Sequence, residues 1–167
     1  LGSKVDVELL FETVEKLDKA ASLNFSEYDT RAMLIDKYLA ALGYTELGDI
    51  QHGSPVDSGT FPDYVLRVNG SPAIVIEAKK LGAPLGAKEA AQVVGYCANL
   101  GVRWGALTDG RHFKLYDAPL LGVKPEQRLV LSVDLGDYKN REDFEARVYP
   151  ELELIAKGAL ETGGGLE

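Results

Sequence analysis

The run Phe61-Pro62-Asp63-Tyr64-Val65-Leu66-Arg67, followed after a turn by Ile74-Val75-Ile76-Glu77-Ala78-Lys79-Lys80, constrains this chain more than any other feature. Val65 to Val68 and Ala73 to Ile76 are short apolar runs on either side of the turn formers Asn69-Gly70-Ser71-Pro72, a pattern that predicts two neighbouring strands. Asp63 then stands near the open end of one strand and Glu77 at the exit of the next, where their carboxylates can converge. Strand side chains repeat every second residue, so Glu77 and Lys79 share a face. Two hard oxygen donors suit Mg²⁺ or Mn²⁺, and such an ion polarises a phosphoryl oxygen while lowering the pKa of a bound water. Lys79 beside them could orient that water or stabilise charge on a transferring phosphoryl group. The plain alternative is a strand end where an apolar core meets solvent. Ile74-Val75-Ile76 running directly into Glu77, with Pro62-Asp63 upstream, favours the site.

The flanking segments read as helices and further strands. Residues 5–17 repeat apolar side chains at helical spacing and predict an outer helix. Ser26 is placed to cap a second helix with Asp29 three positions on, where Glu or Gln is the usual partner. That helix carries Met33, Leu34, Tyr38 and Leu42 and stops at Gly43. Glu27 enters from its first turn, where an acid is favourable with or without chemistry, and Arg31 is spaced to pair with Glu27 or to meet a phosphate. Residues 51–60 are rich in turn formers and read as a loop. Its His52 reads as incidental, and Asp57 is the fallback carboxylate should Asp63 point away. Breakers over 81–86 lead to a helix over 87–99, on which Lys88, Gln92 and Tyr96 share one face. Gln92 and Tyr96 could reach a phosphate or the water around an ion, and ordinary packing of helix on sheet explains them too. Residues 104–108 and 111–116 predict a hairpin about Asp109-Gly110, residues 128–133 a last strand, and 142–156 a terminal helix that Pro150 kinks or divides. Cys97, inside the apolar helical segment, reads as a buried thiol.

Taken in order, Pro62-Asp63, Glu77-Ala78-Lys79, the Gln-x-x-x-Tyr element at Gln92-Val93-Val94-Gly95-Tyr96 and residues 106–116 resemble the PD-(D/E)XK nuclease superfamily. Within it, the chain is most similar to the N-terminal nuclease domain of type I restriction enzyme R subunits. Upstream, Glu27-Tyr28-Asp29-Thr30-Arg31, Leu34-Ile35 and residues 39–44 resemble that family's first helix, so the likeness spans residues 26–117. It implies an α/β, restriction-endonuclease-like core with a central mixed sheet flanked by helices. The activity it implies is hydrolysis of a DNA phosphodiester. By the same resemblance Asp63 and Glu77 are metal ligands, Glu27 an additional acid at the metal, Lys79 the catalytic lysine, and Gln92 and Tyr96 a pair facing the site. Mg²⁺ is the expected ion, with Mn²⁺ as a substitute. DNA is the expected partner, contacted by Arg31, Lys80, Lys88, Tyr96 and Arg111, with a helicase or restriction-complex subunit as a further one. The alternative from another class is a non-catalytic nucleic-acid-binding or assembly domain on a nuclease scaffold.

A chain of 167 residues is long enough for one sizeable core and short for two domains. Residues 1–160 are therefore expected to form one domain, with its core over 26–117 and a C-terminal helix over 140–157, and 161–167 to be a flexible or appended tail. One cysteine and two histidines exclude an internal disulfide framework and leave little for zinc. No G-x-x-x-x-G-K-[ST] pattern occurs, so an ATP-driven motor would lie outside this chain. No apolar run reaches membrane-spanning length and no secretory pattern opens the sequence, which makes the cytoplasm the expected location. The net charge of -8 opposes attraction to a phosphate backbone and favours a local basic cleft or delivery by a partner. Cutting both strands with one site per chain requires two protomers or sequential nicks, so a homodimer is compatible with the activity.

Overall fold

In a computed structural model that describes residues 3–53, 60–163 and 165–166, helices α1 (Val7–Val14), α2 (Leu17–Ser22), α3 (Glu27–Thr30) and α4 (Asp36–Ala41) precede the sheet. A π segment, Arg31–Ile35, joins α3 to α4. The strands are β1 (Ile50–His52), β2 (Tyr64–Val68), β3 (Ser71–Ala78), β4 (Trp104–Thr108), β5 (His112–Asp117) and β6 (Leu129–Asp134), with α5 (Ala87–Leu100) between β3 and β4. Then follow α6 (Arg141–Asp143), a second π segment, Phe144–Val148, α7 (Tyr149–Glu153) and α8 (Lys157–Glu161). The sheet order is β1-β2-β3-β4-β5-β6, antiparallel at every step except β3–β4, which is parallel. A parallel pair needs a crossover and α5 supplies it. The result is the α/β architecture with a central mixed sheet flanked by helices.

The β2–β3 hairpin is tighter than expected and carries a bulge that decides the site. Asn69 and Gly70 hold φ of 52° and 80°, as a two-residue turn matched to strand twist requires, so Val68 pairs directly with Ser71 and Arg67 with Pro72. Continued unbroken, this register would set Asp63 opposite Ile76. Instead Leu66 pairs with Ile74, and Ala73 is the extra residue. A shift of one residue exchanges the faces of everything beyond it. Pro72, which cannot donate to a ladder, sits where bulges tolerate it.

Alternation along β3 divides the core. Ile74, Ile76 and Ala78 belong to the larger core with Leu10, Leu34, Tyr38 and Phe144, whereas Val75 packs with Val93, Cys97 and Leu107 under α5. The approach of α5 is close enough that a Cβ on Gly105 would stand 2.8 Å from Cys97 Sγ and 3.2 Å from Val93 Cγ2. Gly105→Ala is therefore expected to cost about 1–3 kcal/mol by over-packing, read by urea unfolding, and Cys97→Ala in the same chain to recover much of that loss. Cys97 is buried as expected, and burial pushes its thiol up to about 12.

Two details depart from the sequence reading. The helix expected over 5–17 ends at Val14 and restarts at Leu17, a break that turns Leu17 and Ala20 onto the core. Gln51 and His52 are not loop but belong, with Ile50, to an edge strand paired with Val65, Tyr64 and Leu66, too short to display alternation. The fallback Asp57 lies outside the described residues. Pro150 divides the terminal helix as expected, for it cannot donate to the carbonyl of Ala146, and the π segment Phe144–Val148 spans the place where that bond is missing. Among the described residues no helix is long and apolar enough to cross a membrane.

Candidate active site

Beyond the Tyr64–Ile76 pair, the next residues along the two strands are Asp63 and Glu77, which the bulge has set opposite each other on one face. The Asp63 N–H donates to Glu77 Oε1 at 3.3 Å, and the Ala78 N–H donates to Asp63 Oδ2 at 2.7 Å. Glu77 is only 7% exposed. Burial first, and then the charge of Asp63 beside it, push its carboxyl up to about 8, with Lys79 pulling the other way. Lys79 stands one step past β3, and its backbone N–H donates to Thr108 O at 2.8 Å, extending the pairing with β4. Its Nζ donates to Gln92 Oε1 at 2.7 Å and to Glu77 Oε2 at 3.4 Å. Gln92 Nε2 donates in turn to Tyr96 Oη at 3.1 Å. The two α5 residues, one turn apart, form a bracket that locates the lysine.

A second arm reaches the pair from α3. Ser26 Oγ accepts from the Asp29 N–H at 3.0 Å while the Ser26 N–H donates to Asp29 Oδ2 at 3.2 Å, a capping box closed by aspartate. Thr30 Oγ1 accepts from the Leu81 N–H at 3.1 Å and fastens this helix to the chain leaving Lys80. Arg31 does not fold back on Glu27. It donates from Nη1 to Asp63 Oδ1 at 3.3 Å, from Nη2 to Asp63 O at 3.4 Å and from Nε to Tyr64 Oη at 3.3 Å. Tyr64 Oη donates to Asp36 Oδ1 at 2.7 Å. One continuous run of polar contacts thus passes through Tyr96, Gln92, Lys79, Glu77, Asp63, Arg31, Tyr64 and Asp36. Sequence reasoning missed Tyr64 and Asp36; a tyrosine directly after Asp63, pointing to the opposite face, was the available signal.

The remaining residues take varied places. Glu27 is exposed at the rim, where partial burial and then Asp63 push its carboxyl up. Among the described residues no three His, Cys, Asp or Glu side chains gather to hold an ion. The three-carboxylate centre expected from the sequence is therefore an Asp63–Glu77 pair with Glu27 beside it, because Glu27 sits on the solvent side of the first turn of α3. Lys80 and Lys88 are presented to solvent. Arg111 donates to both carboxylate oxygens of Asp134, at 2.8 and 3.2 Å, and Tyr96 is 4% exposed, its ring in the smaller core. His52 Nε2 lies 2.7 Å from Glu46 Oε2, and its ring packs on Tyr64 with centroids 5.3 Å apart.

No curated protein and no solved structure matches the chain. Residues 56–120, the segment that carries Asp63, Glu77, Lys79, Gln92 and Tyr96, match the family model of the type I restriction enzyme R protein N terminus.

Proposed function

We propose that the chain is a metal-dependent DNA endonuclease that hydrolyses a phosphodiester. The observation that carries this reading is the convergence of Asp63, Glu77 and Lys79 within the segment matching the restriction-enzyme family. The donor set fits a hard divalent cation: two oxygen-only groups, one of them a buried carboxyl held at about 8 by burial and by its neighbour, a penalty that a cation shared by the pair would remove. Held by Asp63 and Glu77, Mg²⁺ or Mn²⁺ would acidify a bound water and neutralise charge on a phosphoryl oxygen. Lys79, located by Gln92, sets a fixed positive charge beside the place where the phosphoryl group gains negative charge. Arg31 and the Ala78 N–H hold the two oxygens of Asp63 and so fix its orientation.

Lys80 and Lys88 supply local positive charge on a chain whose total is -8, so DNA affinity is modest and sensitive to salt. Replacing either by alanine is expected to weaken binding to all sequences alike and to lower the slope of log affinity against log salt by about one. Fluorescence anisotropy over a salt series reads both effects. The function itself is tested by incubating circular, linear, single-stranded and branched DNA with Mg²⁺, Mn²⁺ or EDTA, beside Asp63→Asn. Cleavage that needs the ion and disappears in Asp63→Asn is expected. Asp63→Asn cutting as fast as the wild type would sink the reading.

A further inference from the structure

Next to the carboxylate pair, a concavity of about 410 Å³ is lined by Glu27, Tyr28, Arg31, Ala32, Asp36 and His52. We propose that it receives one unpaired nucleobase adjoining the scissile phosphate and prefers guanine, whose edge offers paired donors, to thymine. The proposal rests on the nuclease reading and names its substrate class, DNA with an unpaired nucleotide at the point of cutting.

The size is that of a pocket for one small ligand, and its walls suit a flat one. Tyr28 is 79% exposed, so its ring contributes little to the core and is available for stacking. His52 forms one wall, its Nε2 beside Glu46 and its ring packed on Tyr64. The charges argue against a phosphate in this place. Arg31 is committed to Asp63 and Tyr64, and the other ionisable lining groups include the carboxylates of Glu27 and Asp36, which repel an anion.

What the lining offers is hydrogen-bond acceptors. Tyr64 donates to Asp36 Oδ1 and so orients that carboxylate, and an ionised carboxylate accepts only. Guanine presents N1–H and an amino group side by side on its Watson–Crick edge, matching two carboxylate oxygens. Thymine presents a single N–H between two carbonyls, which a carboxylate repels. In a duplex these donors are already used, so the base must be out of its pair to be read. Asp36, which holds the base edge, is itself three hydrogen bonds from Asp63, through Tyr64 and Arg31.

The test is fluorescence anisotropy in EDTA, where no cleavage intervenes, on four duplexes alike except for a single bulged guanine, a bulged thymine, a bulged abasic site or no bulge. The wild type is expected to bind the guanine bulge about 5- to 150-fold more tightly than the abasic or fully paired duplex, the range for one base stacked on an aromatic ring. Tyr28→Ala should bring the guanine bulge to the abasic level. Asp36→Asn, which keeps an acceptor for Tyr64, should erase the advantage of guanine over thymine. Equal affinity for all four duplexes, a guanine preference untouched by Tyr28→Ala, or no binding to any of them overturns the subsite. The nuclease reading is judged separately, by ion-dependent cleavage of fully paired DNA that Asp63→Asn abolishes, and it stands if that cleavage occurs without any bulge preference.

Discussion

Lys79→Ala is expected to lower cleavage about 100- to 1,000-fold at saturating ion, the range for removing one preorganised group that stabilises transition-state charge, while the chain stays folded and still binds DNA. Lys79 Nζ lies 2.7 Å from Gln92 Oε1 and 3.4 Å from Glu77 Oε2, so the substitution takes away both the charge beside the reacting phosphoryl group and the counter-charge of Glu77. The second loss acts on ion affinity. Measuring at saturating Mn²⁺ removes it and leaves the effect on the chemical step. Lys79→Arg is not expected to restore the rate, since a planar guanidinium does not fit a position shaped for one ammonium between an amide and a carboxylate. Gln92→Ala acts through Lys79 rather than on substrate, and a smaller loss of about 10- to 100-fold is expected. A Lys79→Ala chain that cuts at the wild-type rate would take the lysine out of the mechanism.

How much of this site could be read from the sequence depends on whether each contact is local. Asn69-Gly70 announced the β2–β3 hairpin because turn chemistry resides in two adjacent residues. The same-face relation of Glu77 and Lys79 followed from strand alternation, and that of Gln92 and Tyr96 from helical spacing. The register was not legible. From the turn alone Asp63 would face Ile76, and only the bulge at Ala73 brings it opposite Glu77. Pro72 was the clue, since a proline inside a strand signals a bulge or an edge. Arg31 was misassigned for a related reason. Helical spacing offered it Glu27, but Asp63, 32 residues away, receives its hydrogen bond. The Tyr64–Asp36 link, 28 residues apart, was equally invisible to any local rule. The family resemblance named Asp63, Glu77, Lys79 and Gln92, which the fold brings together, yet it could not say that Tyr96 would be sealed in the core or that Arg111 would be taken by Asp134.

Without a divalent ion, stability is expected to fall as pH rises from about 5 to 8, and Glu77 is the main cause. Its carboxyl moves from an ordinary 4.5 to about 8 in the folded chain. Between those values the folded chain keeps a proton that the unfolded chain has lost, so this contribution is complete below about 4.5, is lost through the window and levels off above 8. Each pH unit is worth about 1.4 kcal/mol, and the whole window on the order of 3–5 kcal/mol. That is a large share of the ~5–15 kcal/mol typical of a domain. Glu27, also pushed up by burial and then by Asp63, adds in the same direction. Asp143, held well below the ordinary carboxylate value by its bond to Arg147, acts only at the acid end. Glu77→Gln mimics the protonated side chain, so it should match the wild type near pH 4.5 and be more stable by a few kcal/mol at pH 8.5, as urea unfolding at the two values reads. Saturating Mn²⁺ should restore the wild type at pH 8.5, because an ion that binds only the folded chain stabilises it by mass action, and should do much less for Glu77→Gln. A wild-type chain equally stable at both values would mean that Lys79 already neutralises Glu77, and that Glu77–Lys79 is a settled salt bridge with no deficit for an ion to relieve. A slope that Mn²⁺ abolishes would mean that the fold keeps two acids together at a cost to its own stability, which is what a cation-binding pair requires and a purely structural strand end does not.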